Sequence, residues 1–368
     1  MPTKESPPAA DGNADAVAPL RAPARWVERE AEAAAIAAVA AAGALLPAVA
    51  RVLVGRGIDD AAKVDEYLVP RLQALPDPLH LAGVAEAVER LVGALDRGEV
   101  IGVFGDYDVD GVTSTTLLWD FLERLGARVI ATIPDRLVEG YGLSRAGVDR
   151  LAAAGATLIV TVDCGVTAIE EVDYANAQGL DVVVIDHHTV PVTLPRAVSV
   201  INPHRADCTR GSEALCAVGV TFNLCLALRR HLRERGFFSP SRPEPDLKDA
   251  LDLVALGTVA DVVPLVGENR VLVSAGLAAV RQGKRTGMRA LLDVAGTKLA
   301  AVDAGTLGFQ IGPRINAAGR LGDAMLAVRL LRATDALEAR TLAARLDGEN
   351  VARRELERRI VADAIRQV

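Results

Sequence analysis

Aromatic residues are scarce, at 3% of 368 residues, so the stacked aromatic platforms on which many sequence-tolerant single-strand binders lay bases are not advertised. Positive charge is not in excess either. With 41 Lys and Arg against 48 Asp and Glu, the formal net charge is −7. That is the wrong sign for binding nucleic acid by bulk electrostatics, and it confines any such contact to a local patch. A cluster of metal-ligating acids makes a chain look anionic, however, while bound cations reverse the sign at the site itself. The few cysteines, Cys164, Cys208, Cys216 and Cys225, form no CxxC pair and no zinc-ligand spacing. A disulfide scaffold and structural zinc are therefore not expected, and each thiol reads as a small buried hydrophobe. No apolar run is long enough to span a bilayer: residues 33–50 are alanine-rich, interrupted by Gly43 and Pro47, and read as a packed helix. Residues 1–25 are too polar and proline-rich for a signal peptide. They read as a disordered leader, and a cytoplasmic location is expected.

What is present is apolar content of 51% on a chain long enough for two domains. Residues 26–75 read as an N-terminal helical region. From Val100 onward, short β-branched runs alternate with amphipathic stretches: Val100–Phe104, Val129–Ile133, Leu158–Val162, Val182–Ile185 and Val198–Ile201 are the strand candidates. Continuous apolar runs separated by helices predict an α/β fold, a parallel sheet flanked by helices on both faces, over residues 76–330. One intervening helix is expected at Thr113–Leu125, opened by small hydroxyl residues and closed by Gly126. Residues 331–368 carry apolar positions at helical spacing (Leu342 with Leu346, Leu356 with Ile360) and break off in mid-pattern. They are expected to begin a long connecting helix toward a domain beyond this chain.

The carboxylates fall at strand ends. Val100–Phe104 runs into Gly105-Asp-Tyr-Asp-Val-Asp-Gly111, Leu158–Val162 ends at Asp163, and Val182–Ile185 ends at Asp186, His187 and His188. In an open parallel sheet, ligands bind outside the carboxyl ends of the strands. Several acids brought that close repel strongly unless cations offset them, and oxygen ligands with an imidazole or two suit Mn2+ or Mg2+. An EF-hand loop also begins D-x-D-x-D-G, but its twelfth position here is Leu117, and the motif follows a strand. A plain solvated acidic turn stays open as the reading of Asp106, Asp108 and Asp110 taken alone.

With these residues in place, the sequence resembles the DHH phosphoesterases, and within them the RecJ-type exonucleases. The resemblance runs through FGDYDVDGVTST (104–115), IPDRLVEGYGLS (133–144), TVDCGV (161–166), IDHHT (185–189), INPHRADC (201–208), LGTVADVVPL (256–265) and GPRINAAGRLGDA (312–324). It implies that Asp108, Asp110, Asp163, His187 and Asp261 hold two Mn2+ or Mg2+ ions, with Asp163 between them. It further implies that Asp106 and Asp186 support those ligands, that His188 approaches the scissile phosphate, and that Arg136 and Arg320, and less directly Arg314 and Asn316 of a GPRINAAGR segment read as a loop, hold phosphate oxygens. Asp261 in particular is singled out by the resemblance and not by its local sequence. The implied activity is 5′→3′ hydrolysis of single-stranded DNA to mononucleotides in recombination and repair, with a single-strand-binding protein and a helicase as partners. The same family carries a C-terminal DHHA1 domain and an oligonucleotide-binding barrel, and neither pattern precedes Val368. Two other readings share the fold: a phosphatase of small substrates such as short oligonucleotides or pyrophosphate, and a scaffold that has lost catalysis.

Overall fold

The computed structural model describes residue 27 and residues 29–367, apart from 137 and 322. The expected leader at 1–25 lies outside the described residues. The chain divides between Asp65 and Glu66 into two compact units.

In the first unit the alanine-rich stretch, expected as one helix, is two: α1 (Ala33–Ala42) and α2 (Pro47–Val54), bent by 115°. Gly43 ends α1, Ala44 takes a positive φ of 47°, and Pro47 opens α2 at the position where its missing N–H costs nothing. Val39, Ala50 and Leu53 are buried. Among the described residues no single helix is long and apolar enough to cross a membrane. Helix α3 (Ala61–Leu68) crosses the division.

In the second unit, α4 (Val84–Arg97) is followed by β1 (Val100–Gly105), α5 (Val109–Arg124), β2 (Arg128–Thr132), α6 (Arg145–Ala153), β3 (Leu158–Val162), α7 (Ile169–Ala177), β4 (Asp181–Ile185) and β5 (Ser199–Ile201). The strands pair in parallel in the order β2-β1-β3-β4-β5, the α/β architecture expected from the alternating runs. Both faces are covered, which is why the strands are apolar without alternation. Val103, Val160, Val183 and Ile185 join the core beneath α4, α5 and α8 (Ala217–Glu234), while Phe104, Ile159, Val182 and Val184 pack with Val148 and Leu151 of α6 and Val172 of α7. Each such fully buried Val, Leu or Ile contributes about 1.5–3 kcal/mol of transfer free energy.

A helical portion follows: α8 (Ala217–Glu234), α9 (Leu251–Ala260), α10 (Gly267–Gln282), α11 (Thr286–Val294), a single turn α12 (Ala304–Thr306), a π-helical turn (Leu307–Ile311), α13 (Gly312–Leu321), α14 (Met325–Arg332) and α15 (Ala336–Gln367). Two local expectations are corrected. Helix α5 starts at Val109, not Thr113, because Asp108 caps it, accepting from the amides of Asp110 (2.9 Å) and Gly111 (3.1 Å). Thr113 and Thr116 instead lie inside the helix and bond back to Val109 O and Val112 O. The GPRINAAGR segment, expected as a loop, is helix α13.

Candidate metal centre

The sheet order reverses at β1: the chain leaves it for β2 on one side and returns to β3 on the other. The crevice between the carboxyl ends of β1 and β3 is thus the switch point at which ligands bind in open parallel sheets. Asp106 and Asp108 leave β1 there, Asp110 sits in the first turn of α5, Asp163 follows β3, and Asp186 to His188 follow β4. Turning the chain this tightly requires Gly111, where a Cβ would stand 2.4 Å from Asp106 O. Asp163 itself adopts a left-handed φ of 65°, a conformation that Asp tolerates better than most residues.

A further helix supplies the last acid. Asp261 ends α9, and His187 Nε2 lies between it and the strand-end acids: 3.2 Å from Asp163 Oδ1, 3.7 Å from Asp110 Oδ2 and 3.7 Å from Asp261 Oδ2. Three overlapping sets have ligand atoms within 4.8 Å of one another, namely Asp110–His187–Asp261, Asp106–Asp108–Asp163 and Asp163–His187–His188. All five residues that the resemblance implies as metal ligands therefore converge. Asp163 belongs to two of the sets, as a group between two ions would.

The electrostatics are those of a cluster awaiting positive charge. Burial first, then Asp108, pushes the Asp106 carboxyl up to about 7. Burial with Asp108 close by pushes Asp261 up to about 6. Asp110 and Asp163 are driven well above the usual carboxylate range by burial and by the neighbouring acids. Burial lowers the His187 imidazole to about 4, leaving it neutral at pH 7, the form that ligates metals. Asp106 Oδ1, Asp163 Oδ1 and His187 Nε2 are buried and make no hydrogen bond. Buried polar atoms are normally satisfied, and unmet acceptors beside an unmet imidazole nitrogen are what a divalent cation would complete. The donor set thus fits a pair of Mn2+ or Mg2+ ions.

Asp186 has a different task. It is 1% exposed; Oδ1 accepts from the amides of His187 (2.8 Å) and His188 (3.1 Å) and lies 2.7 Å from His188 Nδ1, while Oδ2 accepts from Val166 N (2.9 Å). Burial raises its pKa, but these bonds outweigh burial and hold it below the ordinary value. The same bond raises His188. Asp110 is gripped similarly: Oδ2 accepts from Ala217 N (2.6 Å) and Oδ1 from Val218 N (2.8 Å), the first amides of α8.

The cationic candidates separate. Arg136 lies over the Tyr107 ring, 4.9 Å from its centroid, beside the Asp106–Asp108 turn. Arg320 is exposed near the end of α13, next to Gly319, which packs against Tyr107 O. Arg314 instead bonds Asp347 Oδ1 of α15 (2.9 Å) and Gln310 O (2.6 Å). Asn316 Oδ1 accepts from Val109 N (3.1 Å), a second cap on α5. Sequence reasoning passed over Tyr141, whose hydroxyl donates to Asp163 O and lies 3.2 Å from His188 Nδ1. The positive φ of its flanking Gly140 and Gly142 marks a turn built to present it, and that GYG pattern was the available signal.

Comparison with known proteins agrees with this geometry. Residues 100–258 match the DHH family, N-terminal domain. A crystal structure of exonuclease RecJ bound to manganese is 39% identical, with a TM-score of 0.70, over 80% of this chain and 71% of that one. The chain belongs to the RecJ family. Among RecJ proteins, the single-stranded-DNA-specific exonucleases of Dickeya dadantii and Escherichia coli are 46% and 43% identical over 87% of this chain. RecJ from Thermus thermophilus in complex with Mn2+ superposes with a TM-score of 0.77 at 36% identity, over 91% of this chain and 46% of that one. The chain spans 56% of the length of the Dickeya and Escherichia RecJ proteins.

Proposed function

We propose that this chain is the catalytic portion of a metal-dependent exonuclease that hydrolyses phosphodiester bonds of single-stranded DNA from the 5′ end to mononucleotides, in cytoplasmic recombination and repair. The observation that carries the reading is the convergence of Asp108, Asp110, Asp163, His187 and Asp261, from three strand ends and two helix termini, around buried atoms without partners. Those five residues would hold two Mn2+ or Mg2+ ions, and the RecJ structures compared above are bound to manganese. When bound, the ions supply Lewis acidity at a phosphoryl oxygen and a nucleophile from water at neutral pH.

The remaining residues orient substrate and move charge. Asp186 takes His188 Nδ1, so Nε2 is the atom left to face a phosphate, and the raised pKa of His188 favours a donor there. The Tyr141 hydroxyl steadies the same imidazole, 3.2 Å from its Nδ1. Asp106, next to the ligands and with its carboxyl pushed up to about 7 by burial, supports the first turn. Arg136 and Arg320 provide forked guanidinium donors for phosphate oxygens. Arg314 and Asn316, in this reading, fix α13 and α5 in place rather than touching DNA.

The test pairs Mn2+ calorimetry with hydrolysis of end-labelled single-stranded DNA, two-to-five-residue oligonucleotides and pyrophosphate. Expected are Mn2+ binding that Asp261→Ala lowers in stoichiometry or affinity and turnover greatest on long single-stranded DNA. Mn2+ binding in Asp261→Ala identical to that of the unaltered chain, or preferred turnover of pyrophosphate, would overturn the reading.

A further inference from the structure

One buried amide outside the acid cluster joins the two segments on which the cluster rests. Asn269, in the first turn of α10, is 1% exposed, and its Nδ2 donates to both Ala214 O (2.5 Å) and Pro264 O (3.0 Å). Ala214 lies two residues before Cys216, the N-cap of α8, whose next two amides hold both oxygens of Asp110. Pro264 lies three residues after Asp261, across Val262, which has a φ of 63°. A β-branched residue in the left-handed region is strained and relaxes unless its surroundings forbid it. A single side chain therefore spans from the strained Asp261 loop to the lead-in of the helix that grips Asp110.

The neighbouring contacts point the same way. Glu268, adjacent on α10, accepts from Arg210 Nη2 (2.6 Å) and from the Ser212 hydroxyl. Arg210 also reaches Asn223 Oδ1 within α8 (3.0 Å), with its own side chain 2% exposed. The start of α10 is thus clasped along residues 210–214 while holding Pro264. Asn269 Oδ1, meanwhile, is buried without a partner. An unmet acceptor is a cost that an apolar side chain would not carry, so the two donated bonds are what this position supplies.

We infer that Asn269 is a positioning residue of the metal centre, fixing Asp261 against Asp110 and so setting the spacing of one ligand set. The inference rests on the metal-binding reading above. Partners beyond the direct ligands tune metal affinity by about 10–100-fold, because a ligand free to drift must be reordered when the ion binds.

Asn269→Asp keeps the volume and loses both donated bonds, whereas Ser212→Ala removes one outer link. Mn2+ titration calorimetry on the folded variants, with thermal melts in chelator, separates positioning from stability. Expected is a Mn2+ dissociation constant raised about 10–100-fold in Asn269→Asp and by a smaller factor in Ser212→Ala, with both variants still melting cooperatively. A dissociation constant equal to that of the unaltered chain in either folded variant overturns the inference, even where the melting temperature falls. Failure of the unaltered chain to bind Mn2+ overturns instead the metal reading on which it rests.

Discussion

Asp163 offers the sharpest test of the charge argument. The residue is 1% exposed, Oδ1 has no hydrogen-bond partner, and its ligand atoms lie within 4.8 Å of those of Asp106 and Asp108. At an effective dielectric of about 20, two unit charges at that separation repel by roughly 3 kcal/mol. Partial protonation of the cluster relieves some of this. Asp163→Asn keeps the shape and deletes the charge, so in metal-stripped protein near pH 8 the variant should be more stable than the unaltered chain by about 1–3 kcal/mol, or a few degrees in Tm. Mn2+ at about 100 times its dissociation constant adds roughly 2.7 kcal/mol to a protein that binds it. Two such ions together exceed the variant's advantage, so the order should invert, with the unaltered chain melting higher. The pH dependence has a defined sign. Carboxyls whose folded-state pKa is raised, such as Asp106 at about 7 and Asp261 at about 6, keep protons that the unfolded chain has already lost. Stability of the stripped protein should then fall as pH rises from about 4 through about 7, more shallowly in the variant. Thermal melts in EDTA and in Mn2+ across that range measure all of this. An Asp163→Asn variant less stable than the unaltered chain in EDTA at pH 8 would refute the claim that these acids are uncompensated.

Other consequences are simpler. Tyr141→Phe removes a hydroxyl that steadies His188 and Asp163 O, and should lower kcat several-fold, on the scale of one hydrogen bond of about 1 kcal/mol, with Tm nearly unchanged in melting curves. Gly111→Ala places a Cβ 2.4 Å from Asp106 O and should cost about 1–3 kcal/mol in urea unfolding while weakening Mn2+ binding. Arg314→Ala frees α13 from Asp347 and should reduce thermal stability by about 1 kcal/mol while leaving Mn2+ affinity intact by calorimetry. Glu99 is raised by burial but held lower overall by Arg90, Arg97 and Thr157. Its contribution is present above the ordinary Glu value and lost as pH falls through its depressed folded-state value, so Glu99→Gln should flatten the acid limb of a circular-dichroism pH titration below about 4.5.

The sheet was legible because both of its faces are buried. Uninterrupted apolar runs at 100–104, 158–162 and 182–185 leave few alternatives once helical spacing intervenes, and the observed strands fall within a residue of those expected. The strand-end acids were legible for the same reason, since a parallel sheet presents all its carboxyl ends on one edge. What the pattern misread was local competition between capping groups. Asp108 and Thr113 are both fair helix openers, and only the folded chain reveals that Asp108 reaches the amides first while Thr113 turns back on its own helix. The alanine-rich run was misread in a similar way. Gly43 and Pro47 were visible as interruptions, but their joint effect, a sharp bend and not a flaw in one helix, depends on Ala44 crossing to positive φ.

Asp261 was hidden for another reason. A single carboxylate at the end of an apolar helix has no periodicity or spacing of its own, and its meaning arises only where α9 delivers it opposite His187. The grip on Asp110 is more deeply concealed, because its donors are backbone amides of Ala217 and Val218. Nearly any residue at those two positions supplies the same N–H groups, so side-chain identity there carries almost no information about the contact. What does carry information is whatever fixes where α8 begins, and that burden falls on side chains such as Asn269 and Arg210, remote in sequence from Asp110.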